Sequence, residues 1–156
     1  FTAAARVGYD PQIILNNLRT QCMEHGYNNL FIFYGGGGIE CCSGVPSCIN
    51  EMMMQSHEGV IKLFPVWPED MPAKFKNLRA VGAFLVTSVF EDGKVKLLEI
   101  TSEKGRMCIV QNPWVNDKVI VYQICKTGRI PVGIQLSDTK LSFETNAGAT
   151  YIIMKK

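Results

Sequence analysis

The carboxylate best placed for acid–base chemistry lies in the least regular stretch of the chain, Tyr34-Gly35-Gly36-Gly37-Gly38-Ile39-Glu40-Cys41-Cys42-Ser43-Gly44-Val45-Pro46-Ser47-Cys48. Four consecutive glycines are too flexible for a helix or strand interior, and they let a ligand approach the backbone closely. Glu40 follows them, just ahead of a helix start at Pro46-Ser47, and it is the one acidic residue in such a setting. A carboxylate beside yielding backbone can reach a bound molecule and accept a proton. A solvated loop glutamate is the plain alternative, because one carboxylate does not make a hydrolytic site.

Other chemistries fit this loop less well. A glycine-rich turn before a helix can cradle phosphate, but the Gly-Lys-Ser/Thr ending is missing and Glu40 would repel an anion. A nucleophilic Cys41, Cys42 or Cys48 would need an activating base, and His25 and His57 belong to no recognisable cysteine-hydrolase motif. Half a zinc site is conceivable in the same cysteines, yet no C-x-x-C spacing occurs and His57 has no second histidine at ligand spacing. No metal or other cofactor is therefore expected. With Cys22, Cys108 and Cys125 the chain has six cysteines, and at 156 residues it is above the size that needs disulfide staples, so most are expected as buried thiols. Trp67, Trp114, Tyr122 and Tyr151 could form a sugar-stacking platform, but aromatics in strands and Pro-Trp turns more often fill a core, and core is the expectation.

The elements that must hold this loop fall into two halves of different period. Asp10-Pro11 reads as an N-cap followed by proline at the first helical position, and Ile13, Ile14, Leu18 and Cys22 recur at helical spacing until Gly26, which predicts a helix from Pro11 to His25. A second helix is predicted from Pro46 through Ile49, Met52, Met53 and Ser56, closing near Gly59. From Val60 the period becomes two. Residues 60–64, 82–90, 94–101, 106–111, 118–122, 140–144 and 150–154 read as seven strands separated by turn formers. Asp92-Gly93 supplies the positive φ of a tight hairpin, and Ser102 to Gly105 is predicted as the next turn of a three-strand meander. The prolines of Pro65-Val66-Trp67-Pro68-Glu69-Asp70-Met71-Pro72 mark the change of architecture. The fold class predicted is α+β, helices over 1–59 followed by an antiparallel β-sandwich over 60–156.

Apolar residues make up 47% of the chain and charged residues 19%, enough to bury a core. The net charge of +2 is scattered, with no basic run, so nucleic acid is not an expected partner. No stretch approaches the roughly 20 apolar residues of a membrane helix, so no membrane insertion is expected. The chain starts at Phe1 without a basic and apolar leader, and it reads as beginning mid-protein or after processing.

The run Glu51-Met52-Met53-Met54-Gln55-Ser56-His57, with Leu63-Phe64-Pro65-Val66-Trp67-Pro68 after it, resembles a stretch of glycoside hydrolase family 95, the inverting α-L-fucosidases. There the pattern is Glu-Met-Leu-Leu-Gln-Ser-His, a short strand, then Leu-Pro-Ala-Leu-Pro. Asn77-Leu78-Arg79-Ala80-Val81-Gly82-Ala83-Phe84 is similar to the family's Gly-Leu-Arg-Ala-Arg-Gly-Gly-Phe, and the likeness runs from about Glu40 to Gly105. The resemblance implies the last helices of an (α/α)₆ barrel, over 1–59, running into a C-terminal β-sandwich. It also implies a general base, because the family's catalytic aspartate in Asp-Gly-Asn-Phe-Gly-Ala-Thr stands eleven residues before the Glu of that first motif. Counting back from Glu51 lands on Glu40.

On that resemblance Glu40 is the expected catalytic base, and Gly37, Gly38, Cys42 and Ser43 are the expected contacts to substrate. Two departures bear on it: Glu40 is one methylene longer than aspartate, and Cys41-Cys42 replaces Gly-Asn, removing an amide. The implied reaction is hydrolysis of a terminal α-linked sugar, fucose or a related one, by a larger enzyme whose general acid lies upstream, so the chain alone is expected to be inactive. The implied partners are a glycan and the remainder of the barrel, and the implied location is periplasmic or extracellular. The alternative is a non-catalytic carbohydrate-binding or structural sandwich of a degenerate glycosidase.

Overall fold

A computed structural model describes residues 1–29, 31–33, 40–115, 117–135 and 139–156, with Glu40, Cys41, Ile134 and Gln135 placed as members of their helix or strand only. The class is α+β: among the described residues three helices precede a run of antiparallel strands. The chain forms two compact units, one of residues 1–53 with 64–68, the other of 54–63 with 69–156.

In the first unit α1 spans Thr2–Arg6, α2 Pro11–His25 and α3 Glu40–Met53. The bounds of α2 match the expectation, since Asp10 Oδ1 accepts the Ile13 amide at 2.9 Å and closes the first turn. Ile14 and Leu18 of α2 pack with Ala5, Cys48, Met52 and Val66 in a buried core, and Trp67 lies against it. Segment 64–68 is bound to the end of α3, where the Phe64 amide donates to the Met53 carbonyl at 2.6 Å. That bond satisfies a carbonyl the helix leaves without a partner. α3 departs from the expected second helix at both ends. It starts six residues earlier, with Pro46 inside it, and it stops at Met53 because Met54 and Gln55 pair as a strand with Leu63 and Lys62.

The second unit holds the strands. β1 (Met54–Gln55) and β2 (Lys62–Leu63) form a small hairpin. β3 (Ala73–Ala80), β4 (Phe84–Glu91), β5 (Lys94–Ser102), β7 (Val119–Cys125), β8 (Gly128–Gln135) and β10 (Thr150–Lys155) make one antiparallel sheet in the order β3-β4-β5-β10-β7-β8, while β6 (Cys108–Gln111) pairs with β9 (Lys140–Phe143). Strict alternation sets the inner face: Phe84, Val86, Ser88 and Phe90 of β4 are buried, as are Leu98 and Ile100 of β5 and Tyr151 and Ile153 of β10. Cys108, Val110, Leu141 and Phe143 are the buried residues of the β6–β9 pair, and the Phe143 and Tyr151 rings meet at 5.4 Å, so the two sheets pack face to face as a sandwich.

The seven expected strands are all present, and the described residues hold three more, β1, β3 and β8. Asp92 (φ 52°) and Gly93 (φ 68°) form the two-residue hairpin between Glu91 and Lys94. The expected meander is shifted by one strand. After the turn at Ser102 to Gly105 the chain leaves the six-stranded sheet for β6, and the meander is β3-β4-β5. Gly105 (φ 66°) makes this corner, its amide donating to Ser102 Oγ at 3.1 Å; Thr145 Oγ1 donates to the Arg106 carbonyl at 2.5 Å and stands 2.7 Å from the same Ser102 hydroxyl. Of the four aromatics, Trp114 and Tyr151 are buried as core, with Trp114 Nε1 donating to the Val95 carbonyl and Tyr151 Oη accepting the Asn146 amide, while Trp67 and Tyr122 are half-buried. No helix among the described residues is long and apolar enough to cross a membrane.

Candidate functional site

The candidate carboxylate, Glu40, is the first residue of α3 rather than a loop residue ahead of a later helix. Gly37 and Gly38 lie outside the described residues, and Glu40 is described by its place in the helix. From Glu40 to Glu51 are eleven residues, three turns, which brings both positions to the same side of α3 about 16 Å apart along its axis. The far end is braced: Arg6 Nη2 of α1 donates to Glu51 Oε1 at 2.6 Å, and the hydrogen bond holds the guanidinium above its ordinary pKa. Cys48 and Met52, fully buried, anchor the second half of α3. The helix that carries position 40 is thus fixed by packing and by one ion pair, while its first turn follows the glycines.

Cys42 and Ser43, the other two expected substrate contacts, separate. Cys42 is half-buried and lines a cavity of about 640 Å³ with Cys22, Tyr27, Ile32, Val45 and Pro46, between the end of α2, the turn after it and the start of α3. Ser43, one residue on, is exposed. The turn is built by the Tyr27 amide on the Phe31 carbonyl (2.7 Å), the Phe33 amide on the His25 carbonyl (2.8 Å) and Asn29 Oδ1 accepting the Phe31 amide. Pro46 has no amide to give the Cys42 carbonyl four residues before it, and both residues are at the cavity wall, where the helix can lose that bond to solvent. Cys22, Tyr27 and Pro46 were not legible as site residues, since only the packing of α2 against α3 brings them together.

The thiols depart from the sequence expectation. Cys48 and Cys108 are buried, but Cys22 is exposed and Cys42 and Cys125 are half-buried; all five are free. Among the described residues no three of His, Cys, Asp and Glu gather as a metal site. Glu58, Asp92 and Glu103 are each held below the ordinary carboxylate range by hydrogen bonds from Lys62, Lys96 and Arg79 respectively. A general acid needs the opposite, a carboxyl kept protonated near neutral pH, so these three are surface ion pairs rather than partners for position 40.

Comparison with known proteins bears on the second unit. The model for glycoside hydrolase family 95, C-terminal domain, matches residues 55–153. No curated protein shows significant similarity to the chain. Among solved structures, the catalytic domain of GH30 xylanase C from Talaromyces cellulolyticus is similar over 67% of this chain at 9% identity and a TM-score of 0.37; the chain spans 27% of that structure's length.

Proposed function

Because the chain belongs to glycoside hydrolase family 95 through its C-terminal domain, we propose that it forms the C-terminal part of an inverting glycosidase of the α-L-fucosidase kind, acting on a terminal α-linked sugar of a glycan, with Glu40 as general base. The observation that carries this reading is the place of position 40 in the chain: first residue of a packed and braced helix, three turns before Glu51 and two residues before Cys42, which lines a cavity of about 640 Å³. In an inverting reaction two carboxyl groups stand about 6.5–9.5 Å apart. Glu40 takes a proton from a water between itself and the anomeric carbon, water attacks as the glycosidic bond breaks, and the second carboxyl protonates the leaving oxygen. That acid comes from the remainder of the barrel, of which residues 1–59 are the last part. Exposed apolar residues on the first unit support such a neighbour: Ile13, Met23, Tyr27 and Phe33 stay outside its core. The location proposed is periplasmic or extracellular.

The test is Glu40→Gln in the full-length enzyme with an aryl α-L-fucoside. The expected result is a roughly 10²–10⁴-fold loss of kcat with sugar binding kept; an unchanged kcat refutes the assignment. The 156-residue chain alone should show no turnover, and measurable hydrolysis by it would contradict the need for a second carboxyl from elsewhere. A second reading, a glycan-binding or structural module without catalysis, is favoured by one observation, the Cys42 thiol at the cavity wall where the resemblance would place an amide. Binding without turnover in the full-length protein decides for it.

A further inference from the structure

The central sheet is not evenly closed. β10 pairs with β5 from Thr150↔Thr101 to Ile153↔Leu98, and past that point β10 continues against β7 while the first residues of β5 continue against β4. The cause is a bulge in β5: Val89 pairs with Leu97 and Phe90 with Val95, which leaves Lys96 as the extra residue. Bulges bend a strand and re-aim a side chain, and they recur beside functional sites. Between the separated ends lies a cavity of about 320 Å³ with an apolar floor that includes Leu97, Trp114 and Met154, and a rim of Lys96, Arg129 and Lys155. Trp114 holds that floor in place by donating Nε1 to the Val95 carbonyl at 2.9 Å.

Among the described residues three cations and no carboxylate line this cavity. Lys96 and Lys155 are paired outward, with Asp92 at 2.9 Å and Asp117 at 2.7 Å, both carboxylates substantially exposed and their pairs open to screening. Arg129 is different: its Nη1 donates to Met154 Sδ at 3.3 Å, and among the described residues it has no carboxylate partner. A guanidinium offers a planar fork of donors that matches a carboxylate, and here it stands over an apolar floor.

We propose that the notch opened by the Lys96 bulge is a binding site for an acidic sugar of the uronic acid class, its carboxylate on Arg129 with Lys96 and Lys155 beside it and its C–H face against Leu97 and Met154. The anion requirement stands on the charges and shape of the notch; the sugar part rests on the glycosidase reading. The notch belongs wholly to the second unit, so the site needs nothing from α3 or position 40.

The experiment is titration of the 156-residue chain with glucuronate, glucose and benzoate, followed by Trp114 emission in a Trp67→Phe background and by calorimetry. Glucuronate should bind at least tenfold more tightly than glucose and more tightly than benzoate, weaken as sodium chloride rises, and lose at least tenfold in Arg129→Gln. Arg129 is exposed on an edge strand, and Arg129→Lys, which keeps the charge without the fork, should recover part of the loss. Equal binding of glucose and glucuronate, binding unchanged in Arg129→Gln, or no binding at all overturns the site. Preference for benzoate overturns the sugar assignment. Because none of these readouts involves Glu40, failure here leaves the Glu40→Gln result untouched, and the reverse also holds.

Discussion

Replacing Gly105 by alanine should cost more stability than replacing Gly148, and the difference can be worked from the corner where the chain passes between sheets. Both glycines have positive φ, 66° and 78°, so both variants force alanine into the left-handed region at about 1–2 kcal/mol. At Gly148 that is the whole cost, because a Cβ there meets nothing within 4 Å. At Gly105 a Cβ would stand 2.9 Å from the Ala147 amide nitrogen and 3.3 Å from the Thr145 carbonyl oxygen, both backbone atoms that no side-chain rotation moves. Relief requires shifting the 145–147 segment, which carries the Thr145 bonds to Arg106 and Ser102, and overpacking of this kind adds about 1–3 kcal/mol. Gly105→Ala should therefore lose about 2–5 kcal/mol. Urea unfolding followed by Trp114 emission in a Trp67→Phe background reads the sheet unit alone. Equal midpoints for the two variants, or a larger loss at Gly148, would refute the reasoning.

Burial pushes the Cys108 thiol from its ordinary 9.0 up to about 12. The unfolded thiol ionises from about pH 9 while the folded one stays neutral, so this contribution to stability is intact below pH 9 and falls as pH rises toward 12. Cys108→Ala should flatten that part of the pH–stability curve; an identical slope in variant and parent chain counts against it. At pH 8 iodoacetamide should alkylate exposed Cys22 while sparing Cys108 until the sandwich opens, and parallel labelling of the two in mass spectrometry would contradict the burial argument. Tyr151→Phe deletes the acceptor of the Asn146 amide at a fully buried ring and should cost about 1–2 kcal/mol in the same urea assay; no measurable loss would mean that the amide finds another partner.

The parts of the fold that could be read from sequence are those where local and tertiary preferences agree. Asp10-Pro11 caps α2 in fact, and Asp92-Gly93 makes the hairpin its φ values demand. β3 escaped because Asn77, at φ 55°, sits in a bulge between Phe75 and Leu78 and breaks the two-residue period. Pro131 and Gly133 hid β8, since proline is excluded from central strands but tolerated at an edge, which is where β8 lies. The same residue type misplaced α3: Pro46 reads as a first helical position, and the helix instead passes through it. Met54 and Gln55 continue a helical pattern but are taken by pairing with β2, a long-range preference that no local window contains. Glu40 was singled out as a candidate base through the family motif, because a single carboxylate after glycines has no strong local signature. The cavity at Cys42 and the notch at Lys96 depend on packing and on a bulge, neither of which leaves a pattern in the residues themselves.

The two rims of the six-stranded sheet are guarded by different means. At one side β3 is broken in mid-course by its bulge and carries the exposed Lys74 and Lys76; at the other β8 carries Pro131, which has no amide to offer, between exposed Ile130 and Val132. A second molecule seeking to extend the ladder finds repelling charge and broken register on one flank and a missing donor on the other. The β8 flank is the weaker, because its neighbouring side chains are apolar and a single imino acid stands in the way. Exchange of that proline for valine would leave the interior as it is and turn the molecule into a template for its own copies, so that fibre growth, not unfolding, would be the first sign of harm.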